Sequence, residues 1–241
     1  MAQPHTRDFG SVPGTFSVSV RDPATGAHGV AVATGLVASG ATIPFVSDKV
    51  AMLTQAFTNV SIGRRVLALV ADGLTFPTAC DSVLAEDAHS NYRQVHGIDA
   101  EGRRFAHTGA DCVDWSGDIT TENATVAGNM LTGPAVLQQM SETIEESDGR
   151  LIERLLATLR AGELAGGDKR GSVSAAVRVD APKYHLWHNL RVDHDSEPIS
   201  ALTELYENAR DAEKRLPESA AEMLGEHPDS IIEFEARWDD S

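Results

Sequence analysis

Cysteine is nearly missing from this chain. Cys80 and Cys112 are its only two, in 241 residues, and they show no CxxC spacing. A disulfide framework is therefore excluded as the source of stability, and a reduced, cytoplasmic setting is expected. Long apolar runs are also absent. The opening "MAQPHTRDFG" has no apolar h-region and no twin arginine, and no later stretch is long enough to span a bilayer as a helix. Basic charge is scarce: 20 Lys and Arg stand against 36 Asp and Glu, and only four of the 20 are lysine. Residues 193–241 hold 15 acidic and 4 basic side chains, so most of the net charge of −16 belongs to the C-terminal part. Such a surface repels nucleic acid and anionic membrane, and both are excluded as partners. Several common catalytic signatures are missing as well. There is no GxSxG nucleophile elbow, no Ser-His-Asp spacing and no GxxxxGK[ST] phosphate loop.

What is present suffices for one large or two small domains. A chain of this length buries roughly 70–75% of its unfolded surface, so its core needs no staples. In "TFSVSV", residues 15–20, apolar and hydroxyl side chains alternate with the period of a half-buried strand. Further strands are expected at 29–35, 50–57, 172–180 and 189–193, with a hairpin formed by 92–99 and 103–109. Helical spacing predicts helices over 63–74, 75–86, 134–145, 150–167 and 199–216, the last with Ile199, Leu202, Leu205 and Ala209 on one face. Strands clustered before and after a helical block indicate layered α+β architecture, not an alternating βαβ sheet.

Candidate functional residues each carry two readings. Gly14–Thr15 is either an ordinary turn before a strand or a scissile bond. In the second case an exposed Thr15 would hold a hydroxyl nucleophile and, on the same residue, an amine to serve as its base. Asn129, in the loop-to-helix stretch "TVAGNMLTGPAV", can donate to an oxyanion or satisfy its own turn. Gln55 and Asn59, at the end of the third strand, either line a site or cap the strand end. In "GGDKRGSVSAA", Arg170 can grip a carboxylate with its planar fork while Asp168 accepts from an ammonium; otherwise the segment is a solvated turn. Lys49 could tune a nearby amine or simply be solvated. His185 and His188 in "YHLWHNLRVDHD" fall on opposite faces of an extended segment, with Trp187 on the side of His185, which argues against one shared metal ion.

In order along the chain, "TFSVSVRDPATGAHGVAVAT", "TQAFTN", "AHTGADC", "GNMLTGPAV" and "AGELAGGDKRGSVSAA" resemble the bacterial and archaeal domain-of-unknown-function family 1028, from about Thr15 to about Ser200. That family is similar to the N-terminal-nucleophile (Ntn) hydrolases. The resemblance implies a four-layer αββα sandwich in which the first residue of the mature chain attacks an amide, and it gives that role to Thr15. Members often start near this threonine. Here fourteen residues precede it, so either Gly14–Thr15 is cut autocatalytically or Thr15 stays internal. The expected organisation is an arm or pro-segment at 1–14, an Ntn-like domain at 15–200 and an acidic helical extension at 201–241. The expected activity is hydrolysis of a small amide, peptide-like or ureido bond through Thr15 and an acyl-enzyme. Asn129 serves as oxyanion donor, and Gln55, Asn59, Asp168 and Arg170 bind substrate. No cofactor or metal is expected. The expected partner is a small amide or carboxylate-bearing substrate, and the expected assembly a homo-oligomer. The alternative is a non-catalytic ligand-binding or assembly protein that keeps the Ntn fold with an unprocessed N-terminus.

Overall fold

A computed structural model of the chain describes residues 14–181 and 186–213. The arm ahead of Gly14, His185, and the acidic residues from 214 onward lie outside that range, as does the side chain of Trp187. In chain order the strands are β1 Thr15–Arg21, β2 His28–Thr34, β3 Pro44–Val46, β4 Val50–Ala56, β5 Arg93–Asp99, β6 Arg104–Thr108, β7 Gly117–Thr120, β8 Ala124–Asn129, β9 Ser174–Ala181 and β10 Leu186–Val192. The helices are α1 Val60–Ala71, α2 Phe76–Ala85, α3 Ala135–Glu146, α4 Leu151–Leu164 and α5 Pro198–Glu213. Every strand pairing is antiparallel. One sheet runs β10-β9-β2-β1-β8-β7 and the other β3-β4-β5-β6. No helix among the described residues is long and apolar enough to cross a membrane.

β1 corrects the expectation of a half-exposed strand. Its residues Thr15 to Val20 are all buried, because both faces of its sheet are covered. Phe16, Val18 and Val20 point to the side packed by α3, α4 and α5. Ser17 and Ser19 point the other way, into the second sheet, where Ser17 Oγ donates to Gln55 Oε1 at 2.6 Å and Ser19 Oγ to the Ala51 carbonyl at 2.8 Å. The hydroxyls that read as a solvent face thus line the inside of a sandwich. The outer side of the second sheet carries α1 and α2, held by Val50, Met52, Ile62, Val66, Phe76 and Cys80.

Local chemistry sets several boundaries. α1 begins three residues before the expected position because Asn59 caps it, its Oδ1 accepting from the Ser61 N–H at 3.0 Å. α4 ends at the expected Gly166-Gly167 pair, both in the left-handed region (φ +117° and +52°). Phe16 packs against Gly167 and Gly162, at 3.3 and 3.1 Å from a Cβ placed on each. Fully burying such a side chain contributes roughly 1.5–3 kcal/mol. That contact fixes the turn that follows α4 beside the start of β1. α5 starts before residue 201 and buries Ile199, Leu202 and Tyr206 in the larger core. Leu205, expected on the buried face, is 39% exposed, because Tyr206 takes the inward place one turn along. His188 on β10 meets Tyr206 edge-on, with ring centroids 6.0 Å apart.

Between the sheets, His96 is wholly buried, with Nε2 2.8 Å from Ser17 Oγ and Nδ1 2.8 Å from Thr125 Oγ1. Burial pushes its pKa from 6.5 down to about 3, so it is neutral. In the unfolded chain the imidazole takes up a proton near 6.5, long before the folded one does. Its stabilising contribution is therefore complete above that pH and lost as pH falls toward 3, at about 1.4 kcal/mol per pH unit. Between pH 6.5 and 4.5 this one group should remove roughly 2–3 kcal/mol. Urea unfolding at both pH values is expected to show a smaller loss for His96→Gln than for wild type. An equal loss would mean that His96 titrates normally in the fold.

Candidate functional site

Strand register builds a polar row across the inner face of the larger sheet. Thr34 pairs with Ser174 and with Thr15, and Thr15 pairs with Asn129. All four side chains are buried. The Thr15 hydroxyl donates to Thr34 Oγ1 at 3.1 Å, and Thr34 Oγ1 donates to the Gly14 carbonyl at 2.6 Å. The same carbonyl accepts from the Gly35 N–H at 3.3 Å. Asp168 also lies against Gly14. Its Oδ2 accepts from the Gly35 N–H at 3.1 Å and its Oδ1 from the Arg170 N–H at 2.9 Å, and it also accepts from the Gly14 N–H. Burial raises the pKa of this carboxyl, and those N–H groups oppose the shift. Only glycine fits at position 14, since a Cβ there would stand 2.8 Å from the Asn129 carbonyl and 2.9 Å from Asp168 Cγ.

Asn129 is not on a loop. It ends β8, an interior strand between β1 and β7 whose small residues "ATVAGN" have little strand propensity. Gly128 is needed there, because a Cβ would come within 2.9 Å of the Thr15 carbonyl. Asn129 Nδ2 donates to Gln94 Oε1 at 3.1 Å, and Gln55 Nε2 donates to the same oxygen at 2.8 Å. Gln94 Nε2 in turn meets the Gly128 and Gly117 carbonyls at 2.9 and 3.0 Å. One Asn129 proton is thus committed and the other is not. Beside it opens a cavity of about 60 Å³ lined by Ala56, Phe57, Tyr92, Asp111, Cys112, Val113 and Asn129. Ala56 (φ +64°) and Met130 (φ +51°) both hold left-handed backbone at this rim, a conformation that costs non-glycine residues energy and clusters at functional sites.

A protein-family model described as "Family of unknown function (DUF1028)" matches residues 15–202, a span that opens on Thr15 itself. The chain belongs to the DUF1028 family. The crystal structure of a family member from Silicibacter pomeroyi is 35% identical, with a TM-score of 0.76, and the alignment covers 81% of this chain and 86% of that one. HslV from Trypanosoma brucei is a much looser likeness, 11% identical with a TM-score of 0.40 over 68% of this chain and 98% of that one, too low to carry an argument. No curated protein matches the chain.

In this DUF1028 fold, Gly14, Thr15, Asn129 and Asp168 come together as one constellation. The expected Asp168–Arg170 fork does not form: Asp168 turns inward to the backbone of 14, 35 and 170, while Arg170 stays exposed. Gln55 is wholly buried in the inter-sheet network, joined to Asn129 through their shared acceptor Gln94 Oε1. Asn59 spends its carboxamide oxygen on the N-cap of helix α1, not on the strand end expected of it. Lys49 precedes β4 at the end near Ser19 and Ala100, whereas Gln55 closes β4 at the end near Ser17, so Lys49 lies away from Thr15. Among the described residues, no group of three His, Cys, Asp or Glu side chains could hold a metal ion. Neither thiol is activated. Burial raises the Cys80 pKa and pushes that of Cys112 up to about 11. Thr34 and Gln94 carry much of the site without a motif to mark them. Their one sequence signal is parity: Thr34 shares a strand face with Val30 and Val32, and Gln94 with His96, but such polar positions read as solvent-facing.

Proposed function

We propose that this protein is an amidohydrolase of the N-terminal-nucleophile kind, acting on small amide, peptide-like or ureido bonds through Thr15. The carrying observation is that Thr15 starts the central strand at a buried end where Asn129 pairs with it and where the Asn129 backbone and the Asp168 carboxylate both close on Gly14. The stacking of α3–α5, sheet, sheet and α1–α2 supports an αββα sandwich of the Ntn type.

In this reading, release of residues 1–14 frees the Thr15 amine. The amine takes the proton of Oγ, and Oγ attacks the substrate carbonyl. The uncommitted Asn129 N–H stabilises the oxyanion, and water then releases the acyl group. Asp168, which accepts from the Gly14 N–H in the uncut chain, would accept from the Thr15 ammonium. The small cavity beside Asn129 suits a compact acyl group, and exposed Arg170, in the turn that carries Asp168, suits a carboxylate farther out. The rival reading, a binding or assembly protein of the same fold, draws on the burial of Thr15, which is 2% exposed.

Paired compounds differing only in a free acid or its amide provide the test. Arg170→Lys is expected to raise KM for the acids and to leave the amides little changed, because a point charge cannot reproduce two parallel N–H contacts. Equal losses on both members of each pair would remove Arg170 from the site. No turnover of any amide by a chain that begins at Thr15 would favour the rival reading.

A further inference from the structure

The Gly14 carbonyl is better provided with donors than an ordinary strand-entry peptide requires. Two groups converge on its oxygen, Thr34 Oγ1 at 2.6 Å and, at 3.3 Å, the Gly35 N–H that it shares with Asp168 Oδ2. Thr34 also links that oxygen to the attacking atom. Its hydroxyl accepts from Thr15 Oγ1 at 3.1 Å and from the Leu36 N–H at 3.2 Å while donating its single proton to Gly14. Every hydrogen-bonding capacity of this buried hydroxyl is therefore used, and its direction is set. An oxygen that will carry developing negative charge, held by two preorganised donors in a dry setting, is the arrangement that stabilises a tetrahedral intermediate.

We propose that Thr34 is a catalytic residue for self-cleavage at Gly14–Thr15, serving both as proton carrier and as oxyanion donor. The inference rests on the reading of Thr15 as a nucleophile. Thr15 Oγ bonds to the Gly14 carbonyl carbon. Its proton passes to Thr34 Oγ as the Thr34 proton passes to the Gly14 oxygen, which leaves a neutral tetrahedral adduct. The bond from Gly14 carbon to Thr15 nitrogen then breaks, and the nitrogen takes up the proton that the oxygen releases as the carbonyl reforms. The product is an ester between Gly14 and Thr15 Oγ with a free α-amine. Water hydrolyses that ester to a Gly14 carboxylate and the Thr15 hydroxyl. Asn129 is not needed here, since its role in substrate turnover begins only once residue 14 has left.

The experiment follows the intact mass of freshly purified full-length chains over time, for wild type, Thr34→Val, Thr34→Ala and Thr34→Ser, with thermal melting of each as a check on folding. Thr34→Val and Thr34→Ala are expected to slow loss of residues 1–14 by about 10²–10³-fold, and Thr34→Ser to stay within about tenfold of wild type. Hydroxylamine, which cleaves esters but not amides, should speed release from wild type and leave Thr34→Val slow, because the block precedes the ester. Folded Thr34→Val or Thr34→Ala that cuts at the wild-type rate overturns the role of Thr34 and leaves the Thr15 reading standing. So does Thr34→Ser as slow as Thr34→Val, or rescue of Thr34→Val by hydroxylamine. A wild type that is never cut overturns both.

Discussion

Thr15→Ala should lose amide turnover by at least about 10⁴-fold, the scale on which removal of a covalent nucleophile acts, while keeping its fold. The Thr15 hydroxyl makes one hydrogen bond, to Thr34, and its loss costs about 1 kcal/mol. The strand around it is held by two full ladders, to β2 and to β8, so a structural explanation of so large a loss would be inadequate. Thr15→Ser should keep cleavage and turnover within about one to two orders of magnitude, since the hydroxyl and amine remain and only a methyl that restricts χ1 is lost. Mass spectra taken during turnover should show an acyl adduct on wild type and Thr15→Ser and none on Thr15→Ala. Thr15→Ala that turns over within tenfold of wild type would move the nucleophile elsewhere.

Asn129→Ala is expected to lower kcat by about 10²–10³, or roughly 3–4 kcal/mol, with little change in KM. The fold should tolerate it. Gln94 Oε1, the acceptor that Asn129 would abandon, keeps the bond from Gln55 at 2.8 Å, so no buried polar atom is orphaned. The stability loss should then be near 1 kcal/mol, small against the kinetic effect. If Asn129→Ala instead lowers the melting temperature markedly and leaves kcat intact, the asparagine serves the inter-sheet network alone. Reading kcat and Tm on the same preparation separates the two roles.

How far the sequence carried depended on which signals are local. Helix spacing placed α2 and α3 within a residue and α4 within three, and alternation placed β1, β2, β4 and the β5–β6 hairpin. What escaped was whatever the second sheet decides. Thr15, Ser17 and Ser19 look like a solvent face until another sheet covers them, because periodicity reports two faces and not what each faces. β8 escaped for a different reason. Its Gly128 is crowded by Leu131 and the Thr15 carbonyl, and alanine and glycine carry weak strand preference. In the sequence Asn129 thus reads as a loop residue, marked only by its chemistry. Asp168 and Arg170 illustrate the limit for sites. Two residues apart, they read as a pair, yet the Leu131–Asp168 bridge and the backbone N–H groups of 14, 35 and 170 draw the carboxylate inward and leave the guanidinium out. Thr34 is nineteen residues from Thr15 along the chain and one hydrogen bond from it in the fold.

The central claim, that Thr15 acts as an N-terminal nucleophile, is tested most directly by the intact mass and N-terminal residue of the purified wild-type chain, measured on the same sample as its amide turnover. A chain that begins at Thr15, lighter by residues 1–14, and turnover that rises in proportion to that species, is the expected result. A full-length chain, still blocked at Thr15 by Gly14 and yet fully active on amides, would contradict it.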